Sequence, residues 1–174
     1  MTSLREARFE ALVRAVGEPL HRYLVRRADP AAVDDVLAET MLVLWRRIDD
    51  VPQLEEVLPW CYGVARGCLA NARRAEQRRL RLVDKLARTP SASAPAEHDQ
   101  LYDALRTLGE LDREVVQLWA WEGLAPQGIA EVTGLTANAV SIRLHRAKKK
   151  LAAELDRKNG GTAGQEQVKR GSEL

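Results

Sequence analysis

Apolar residues recur every three to four positions along most of the chain, which is the spacing of one face of an α-helix. The first such stretch predicts a pair of helices with a break or kink at Pro19. After a turn at Asp29-Pro30, a stronger apolar stripe predicts a helix over residues 33–48 with an acidic first turn. A third helix is predicted over residues 60–81, and its later turns are strongly basic. No segment alternates apolar and polar residues as a strand would, so the pattern predicts an all-α protein.

A polar, proline-containing segment divides the chain into two helical parts. Residues 89–95 (TPSASAP) have the composition of a linker and not of a packed core. We therefore predict two small helical domains, at residues 1–82 and 98–156, joined by a flexible linker over residues 83–97. Residues 157–174 include four glycines and almost no apolar residue, so we predict a disordered tail there.

The second part contains a predicted helix-turn-helix over residues 126–150. Pro126 suits the first turn of a helix, Gly134 suits the left-handed residue that ends it, and Thr136 suits the cap of the next helix. One side of that second helix is apolar and the other is polar and basic, as contact with bases and phosphates requires. An amphipathic helical hairpin ending in lysines can imitate this pattern, and His145 alone is as readily a solvated surface residue. The candidate DNA-binding residues are Thr136, Asn138, Ser141, Ile142, His145, Arg146 and Lys149.

Charge is unevenly distributed, although the formal net charge is only +2. Residues 29–56 hold eight acids and two bases, whereas residues 62–88 hold eight bases and two acids. A second basic block lies at residues 143–158. Because clustered Lys and Arg neutralise phosphates, the distribution indicates one protein-facing surface and two polyanion-facing surfaces. Ordinary solvated helix faces would produce a similar distribution.

The remaining composition argues against an enzyme. Cys61 and Cys68 lie seven positions apart on one predicted helix, which suits neither a disulfide nor a zinc site, so we expect two buried small hydrophobes. His21, His98 and His145 are scattered, and no glycine-rich loop precedes a helix. We predict no catalytic residue, metal ligand or cofactor. The chain has no membrane-length apolar run and no signal-peptide pattern, so we expect a cytoplasmic protein without membrane insertion.

Taken together, these segments resemble an extracytoplasmic-function (ECF, group 4) sigma factor of the sigma-70 family. The resemblance rests on VDDVLAETMLVLWRRI, then PWCYGVARGCLANARRAEQRR, then LYDALRTLGELDREVVQLWAWEG leading into the helix-turn-helix. Their order and spacing match the family across residues 9–155. The resemblance implies a non-enzymatic subunit that directs RNA polymerase to promoters and initiates transcription under the control of an anti-sigma factor.

The resemblance also implies a role for each part of the chain. The acidic helix would dock on the clamp helices of core RNA polymerase, and the second domain would bind the minus-35 element and the flap tip. The basic helix would contact and help to open the minus-10 element, and residues 49–58 correspond to the loop that holds an extruded non-template base. The implied polymerase-binding residues are Asp34, Asp35, Glu39, Leu42 and Trp45. The implied minus-10 residues are Trp60, Arg66, Asn71, Arg73, Arg74, Arg78 and Arg79.

The role of Trp60 and the function of the second half of the chain each allow a second interpretation. Trp60 is at least as readily a core tryptophan between helices as a residue that stacks on a base. A second hypothesis, a helix-turn-helix regulator acting independently of core polymerase, explains the second half of the chain but gives the acidic helix no role. The chain departs from the usual family residues at Ala38, Gly67, Asn71, Ala125, Gly128 and Ala139.

Overall fold

The computed structural model describes residues 3–52, 55–83 and 99–169. Within these ranges the chain forms helices and no strand, which confirms the predicted all-α class. The predicted linker, residues 83–97, lies outside the described residues except for Val83, the last residue of α3. The α-helices are α1 (Leu4–Val25), α2 (Val33–Arg46), α3 (Val57–Val83), α4 (Asp99–Arg106), α5 (Glu110–Ala120), α6 (Pro126–Thr133) and α7 (Ala137–Lys169). Two 3₁₀ turns, Pro30–Ala32 and Ile48–Asp50, flank α2.

The chain divides into two compact units. The first contains α1, α2, α3 and the segment Gln127–Leu135, and the second contains α4, α5 and α7. In the first unit α1, α2 and α3 contact one another in pairs. In the second unit α4 and α5 both contact α7.

The first helix is continuous through Pro19, so the predicted pair of helices is wrong. Ser3 and Glu6 form a capping box at its start. Proline removes one helical hydrogen bond, but apolar side chains on both sides of it are buried in the core, and this packing keeps the helix intact. The buried residues of α1 are Leu12, Val16, Leu20, Tyr23 and Leu24.

The second helix presents the predicted apolar stripe to α1 and α3. Val33, Val36 and Leu44 are buried, and the buried Thr40 hydroxyl donates a hydrogen bond of 2.7 Å to the Val36 carbonyl. The helix ends at Arg46 and not at Ile48 as predicted. Ile48 instead begins the following 3₁₀ turn and is buried there.

The third helix begins at Val57, three positions earlier than predicted, because a proline within the first turn of a helix blocks no hydrogen bond. Its first half is packed, and its second half, from Asn71 to Leu82, is exposed except for Ala72. Cys61 and Cys68 are free thiols buried in the packed half, as predicted. Burial raises the pKa of the Cys61 thiol to about 12 and also raises the pKa of Cys68.

In the second unit, α7 is longer than the sequence predicted. Its helix continues through residues 157–169, which belong to the segment 157–174 where we expected disorder, and residues 170–174 lie outside the described part. A helix that has already formed gains one hydrogen bond for each residue added, even in a segment with little apolar surface. The second unit buries apolar side chains of all three helices and of the turn between α4 and α5: Ala104, Leu105, Leu108, Val115, Val116, Leu118, Val140, Leu144, Ala147 and Leu151.

No helix in the described ranges combines the length and the apolar character that crossing a membrane requires.

Candidate promoter and polymerase interfaces

The turn before α7 has the local geometry that the sequence predicted. Gly134 has φ +74°, and its N–H donates a 2.8 Å hydrogen bond to the Ala130 carbonyl. Thr136 then precedes the first residue of α7, and its Oγ1 accepts a 3.1 Å hydrogen bond from the Ala139 N–H. Both the left-handed glycine and the threonine cap are therefore confirmed.

The predicted DNA-binding face of α7 is exposed along its whole length. Ile142 is 44% exposed, although it is a large aliphatic residue, and such a side chain can contact a thymine methyl group. The apolar side of the same helix packs into the core of the second unit. The exposed candidate residues are Thr136, Asn138, Ser141, Ile142, His145, Arg146 and Lys149.

Other basic residues of α7 contact α5 and the turn that follows α4. Arg143 Nη1 lies 2.6 Å from Asp112 Oδ1. Lys148 Nζ lies 3.3 Å from the centroid of the Trp119 ring. Lys150 Nζ donates a 2.5 Å hydrogen bond to the carbonyl of Thr107. The basic block of α7 thus includes three residues that contact other parts of the second unit, of which Lys148 and Lys150 are also exposed, beside the exposed Arg146 and Lys149. We term Arg143, Lys148 and Lys150 the anchoring residues.

The exposed half of α3 carries most of the predicted minus-10 residues. Arg78 is exposed on this half. Arg74 donates a hydrogen bond to the side-chain oxygen of Asn71, and both of these residues are exposed. Arg66 belongs to the packed half of the helix and is half-buried. These positions put a run of guanidinium groups along a solvent-facing helix, as contact with a phosphate backbone requires.

Two further arginines of α3 have strong partners within the protein. Arg73 Nη2 donates a 2.6 Å hydrogen bond to the carbonyl of Arg27. Arg79 donates from Nε and Nη2 to the two carboxylate oxygens of Glu76, both at 2.8 Å. The hydrogen bonds from Arg79 lower the pKa of the Glu76 carboxyl. Arg79 is therefore already ion-paired at the exposed surface, and the Glu76 carboxylate would compete with a DNA phosphate for it.

Trp60 lies half-buried in the first turn of α3. The guanidinium carbon of Arg47 is 4.9 Å from the centroid of the indole, and Arg47 Nε is 3.2 Å from Asp50 Oδ2. One face of the ring is thus covered by a cation that is held by a neighbouring carboxylate. This geometry combines the two interpretations of Trp60, because the ring packs against protein and remains partly open to solvent.

Four of the five predicted polymerase-binding residues lie at the surface of α2. The carboxylates of Asp34, Asp35 and Glu39 are exposed, and Leu42 is 49% exposed. An exposed apolar side chain one turn beyond exposed acidic ones is an arrangement that suits a protein partner.

Trp45, the fifth predicted residue, is half-buried and packs against α1. The Phe9 ring meets the Trp45 ring edge to face at 5.2 Å, and the Arg5 guanidinium lies 5.1 Å from the Trp45 ring centroid. The sequence prediction missed Arg5, Phe9 and Arg47 at these sites. The contact of Arg5 with Trp45 joins residues 40 positions apart, and no local pattern indicates such a pair.

These features define a helical DNA-binding protein, with one basic surface on each unit and an acidic, partly apolar helix on the first. The comparisons with known proteins narrow this class. Residues 12–79 match the family described as Sigma-70 region 2, and residues 98–151 match Sigma-70, region 4.

Curated sigma factors match most of the chain. RNA polymerase sigma factor CarQ of Myxococcus xanthus is 30% identical, over 82% of this chain and 86% of CarQ. RNA polymerase sigma factor CnrH of Cupriavidus metallidurans is 29% identical, over 82% of this chain and 87% of CnrH. The chain therefore belongs to the sigma-70 family of RNA polymerase sigma factors, in the ECF group.

Two solved structures resemble the fold. A complex of CnrH with the cytosolic domain of CnrY matches with a TM-score of 0.59 and 25% identity, over 86% of this chain and 88% of that one. The sigma factor RpoE, solved with the anti-sigma factor NepR from Bartonella quintana, has the same fold with a TM-score of 0.66 at 19% identity, over 85% of this chain and 96% of that one.

Family membership settles the general activity. The protein is a non-enzymatic transcription initiation factor that brings core RNA polymerase to promoter DNA. The hypothesis of a regulator that works without core polymerase loses its support, because the match extends over both units and includes the acidic helix.

Proposed function

We propose that α7 of this sigma factor recognises the minus-35 element, that α3 contacts and helps to open the minus-10 element, and that α2 docks on the clamp helices of core polymerase. In domain terms, residues 1–82 carry minus-10 and polymerase binding, residues 83–97 link the domains, and residues 98–156 carry minus-35 and flap-tip binding. One observation on α7 supports this proposal most strongly. The anchoring residues contact other parts of the second unit, while the predicted DNA-binding residues of the same helix are exposed.

Each exposed residue of α7 has a suitable target in the major groove. The amide of Asn138 can pair with an adenine edge, and Ile142 can contact a thymine methyl group. Arg146 and Lys149 can neutralise phosphates or contact guanine. Thr136, Ser141 and His145 complete the face with shorter hydrogen-bonding groups. Because the anchoring residues hold the helix against α4 and α5, this face is ordered before DNA arrives.

On the first unit, DNA contact combines phosphate binding with stacking. Exposed Arg78 is placed to contact the backbone, whereas Arg73, Arg74 and Arg79 already donate hydrogen bonds within the protein that a phosphate would compete with. Trp60 lies at the start of the same helix, next to the turn that contains Arg47. An unpaired base that stacks on an aromatic ring gains about 1–3 kcal/mol, which offsets part of the cost of unstacking.

Control by an anti-sigma factor is part of the proposal. The similar structures of RpoE and CnrH were solved with the anti-sigma factor NepR and the cytosolic domain of CnrY, respectively, which supports a partner of this kind. The exposed acids and Leu42 of α2 provide the surface that such a partner would cover. Because the protein acts on RNA polymerase at promoter DNA, we place it in the cytoplasm.

The test is transcription in vitro over a pool of genomic promoter fragments, using core polymerase with and without the protein. We expect a discrete set of start sites that depends on the protein and shares two upstream elements. Asn138→Ala should then relax preference at one base pair of the minus-35 element by about 1–3 kcal/mol. Arg157→Ala, an exposed arginine further along α7, is the matched control and should leave that preference unchanged. Start sites with a shared minus-35 element that Asn138→Ala does not alter would contradict the assignment of α7.

A further inference from the structure

Arg5, in the first turn of α1, contacts the C-terminal end of α2. Arg5 Nη2 donates hydrogen bonds to the carbonyls of Trp45, at 3.2 Å, and Arg46, at 3.4 Å. The last carbonyls of a helix lack partners within the helix, and its C-terminus carries partial negative charge. Arg5 therefore stabilises the C-terminal end of α2 in two ways: its guanidinium donates hydrogen bonds to the last carbonyls, and it also packs over the Trp45 ring.

Arg8, one turn further along α1, contacts the turn that follows α2. Its Nη2 donates a 3.1 Å hydrogen bond to the Ile48 carbonyl, and its Nη1 lies 3.3 Å from Asp49 Oδ1. Arg5 Nη1 lies 3.9 Å from the other oxygen of the same carboxylate. Asp49 is thus shared between two arginines of α1. We term Arg5, Arg8 and Asp49 the α1 clasp.

The α1 clasp contacts the turn Ile48–Asp50, where the chain leaves α2. Ile48 is buried and Arg47, in the same turn, covers the ring of Trp60. Arg8 also lines a groove of about 950 Å³, whose other walls come from α1, from the turn and from the residues that lead into α3. The lining residues from the turn onward are Ile48, Val51, Pro52, Glu55, Glu56 and Val57. Arg5 and Arg8 precede residue 12, where the match to Sigma-70 region 2 begins.

We propose that the α1 clasp positions residues 48–52 for the unpaired non-template strand of the minus-10 element. The inference rests on the proposed minus-10 function and adds residues of α1 to it. Fixing the backbone of a segment costs conformational entropy, and a segment ordered in the free protein does not incur that cost when the strand binds. Arg5, Arg8 and Asp49 are positioning residues that act through the turn and need no contact with DNA.

The effect of Asp49→Asn on DNA binding distinguishes the α1 clasp from simple charge attraction, because the two predict opposite directions. Asp49→Asn removes a negative charge beside the DNA-binding surface, so charge attraction alone predicts tighter binding of DNA. The clasp predicts weaker binding, because two arginines lose their shared carboxylate. An exposed ion pair is worth about 0.2–1 kcal/mol, which converts to roughly a 1.4-fold to fivefold loss of affinity.

The experiment measures binding of the holoenzyme, formed from core polymerase and the full chain, to a labelled single-stranded minus-10 oligonucleotide taken from a mapped promoter. A minus-35 duplex serves as the reference ligand. We expect Arg8→Ala to weaken strand binding about threefold to tenfold, Asp49→Asn to weaken it up to fivefold, and the double variant to weaken it by less than their product. Arg8→Lys should lie between Arg8→Ala and the unsubstituted protein. Arg14→Ala removes the same charge from an exposed position of α1 and should change strand binding less than twofold.

The outcomes separate the inference from the function on which it rests. Tighter strand binding by Asp49→Asn, or an equal loss for the strand and the minus-35 duplex, would overturn the clasp. Unchanged strand binding in Arg8→Ala would overturn it as well. Failure of the unsubstituted holoenzyme to bind the strand would overturn the minus-10 function and the clasp together.

Discussion

Replacing Arg146 and Lys149 by alanine removes two exposed charges from α7, whereas replacing Arg143 and Lys148 removes two charges that are tied to α5. The two double variants have the same net charge and alter the same helix. If only the exposed pair contacts phosphates, each lost contact changes the slope of log K against log salt by about 0.9. The exposed double variant should therefore flatten the slope by about 1.8 and weaken binding at 0.1 M salt by up to about 60-fold.

The anchored double variant should show the opposite result. The Arg143–Asp112 pair has side chains 41% and 34% exposed, so we assign it about 0.5–1 kcal/mol, and the contact of Lys148 with Trp119 adds about 0.5–1 kcal/mol. The summed loss of about 1–2 kcal/mol lowers the Tm of a small domain by roughly 4–16 °C. The salt slope should stay within about 0.3 of the unsubstituted value, because no phosphate contact is lost.

The assay is fluorescence anisotropy of a labelled minus-35 duplex at several salt concentrations, together with thermal melting followed by circular dichroism. Equal flattening of the salt slope by the two double variants would contradict the assignment of Arg146 and Lys149 as the phosphate contacts. A lower Tm with an unchanged slope in the exposed double variant would also contradict it, because those residues would then be structural.

Three further substitutions test the basic surface of α3, the turn before α7 and the buried thiol of Cys61. Glu76→Gln should release Arg79 for a phosphate, tighten minus-10 binding and steepen its salt slope by about 0.9, and an unchanged slope would remove Arg79 from the DNA contacts. Gly134→Ala should lower the free energy of unfolding by about 1 kcal/mol through backbone strain alone, because no described atom lies within 4 Å of the added Cβ, and denaturant unfolding measures this loss. Because burial raises the pKa of Cys61 to about 12, its thiol stays protonated in the folded protein while the unfolded thiol ionises near pH 9, so stability should fall by up to about 1.4 kcal/mol per pH unit above pH 9. Cys61→Ala should remove that part of the alkaline slope, and an identical slope in both proteins would contradict it.

Local signals explain the parts of the structure that the sequence predicted well. The two sides of α7 follow from helical periodicity, and the roles of Gly134 and Thr136 follow from the backbone conformations that these residue types favour. The apolar stripe of α2 was predicted for the same reason. Each of these features depends on residues within one or two helical turns of one another.

Features that depend on distant residues were not predictable in this way. Pro19 stays within one helix because both of its flanks pack into the core, and its own sequence context indicates a break. The hold of Arg8 on Asp49 joins positions 41 apart, and nothing near either residue in the chain marks the pair. The placement of Arg47 over Trp60 likewise depends on how the turn after α2 meets the start of α3.

The basic block of α7 shows why charge density alone does not locate a DNA-binding surface. Arg143 and Arg146 are three positions apart and chemically identical, yet Asp112 neutralises the first and the second faces solvent. An ion pair already formed within the protein has to be broken before the same guanidinium can bind a phosphate, and this lowers its net contribution to DNA affinity. Arg143 and Lys148 instead contact α5, and we expect these contacts to set the orientation of α7 within the second unit. If α7 reads bases as proposed, specific contact depends on that orientation, and the anchoring residues would support recognition without touching DNA.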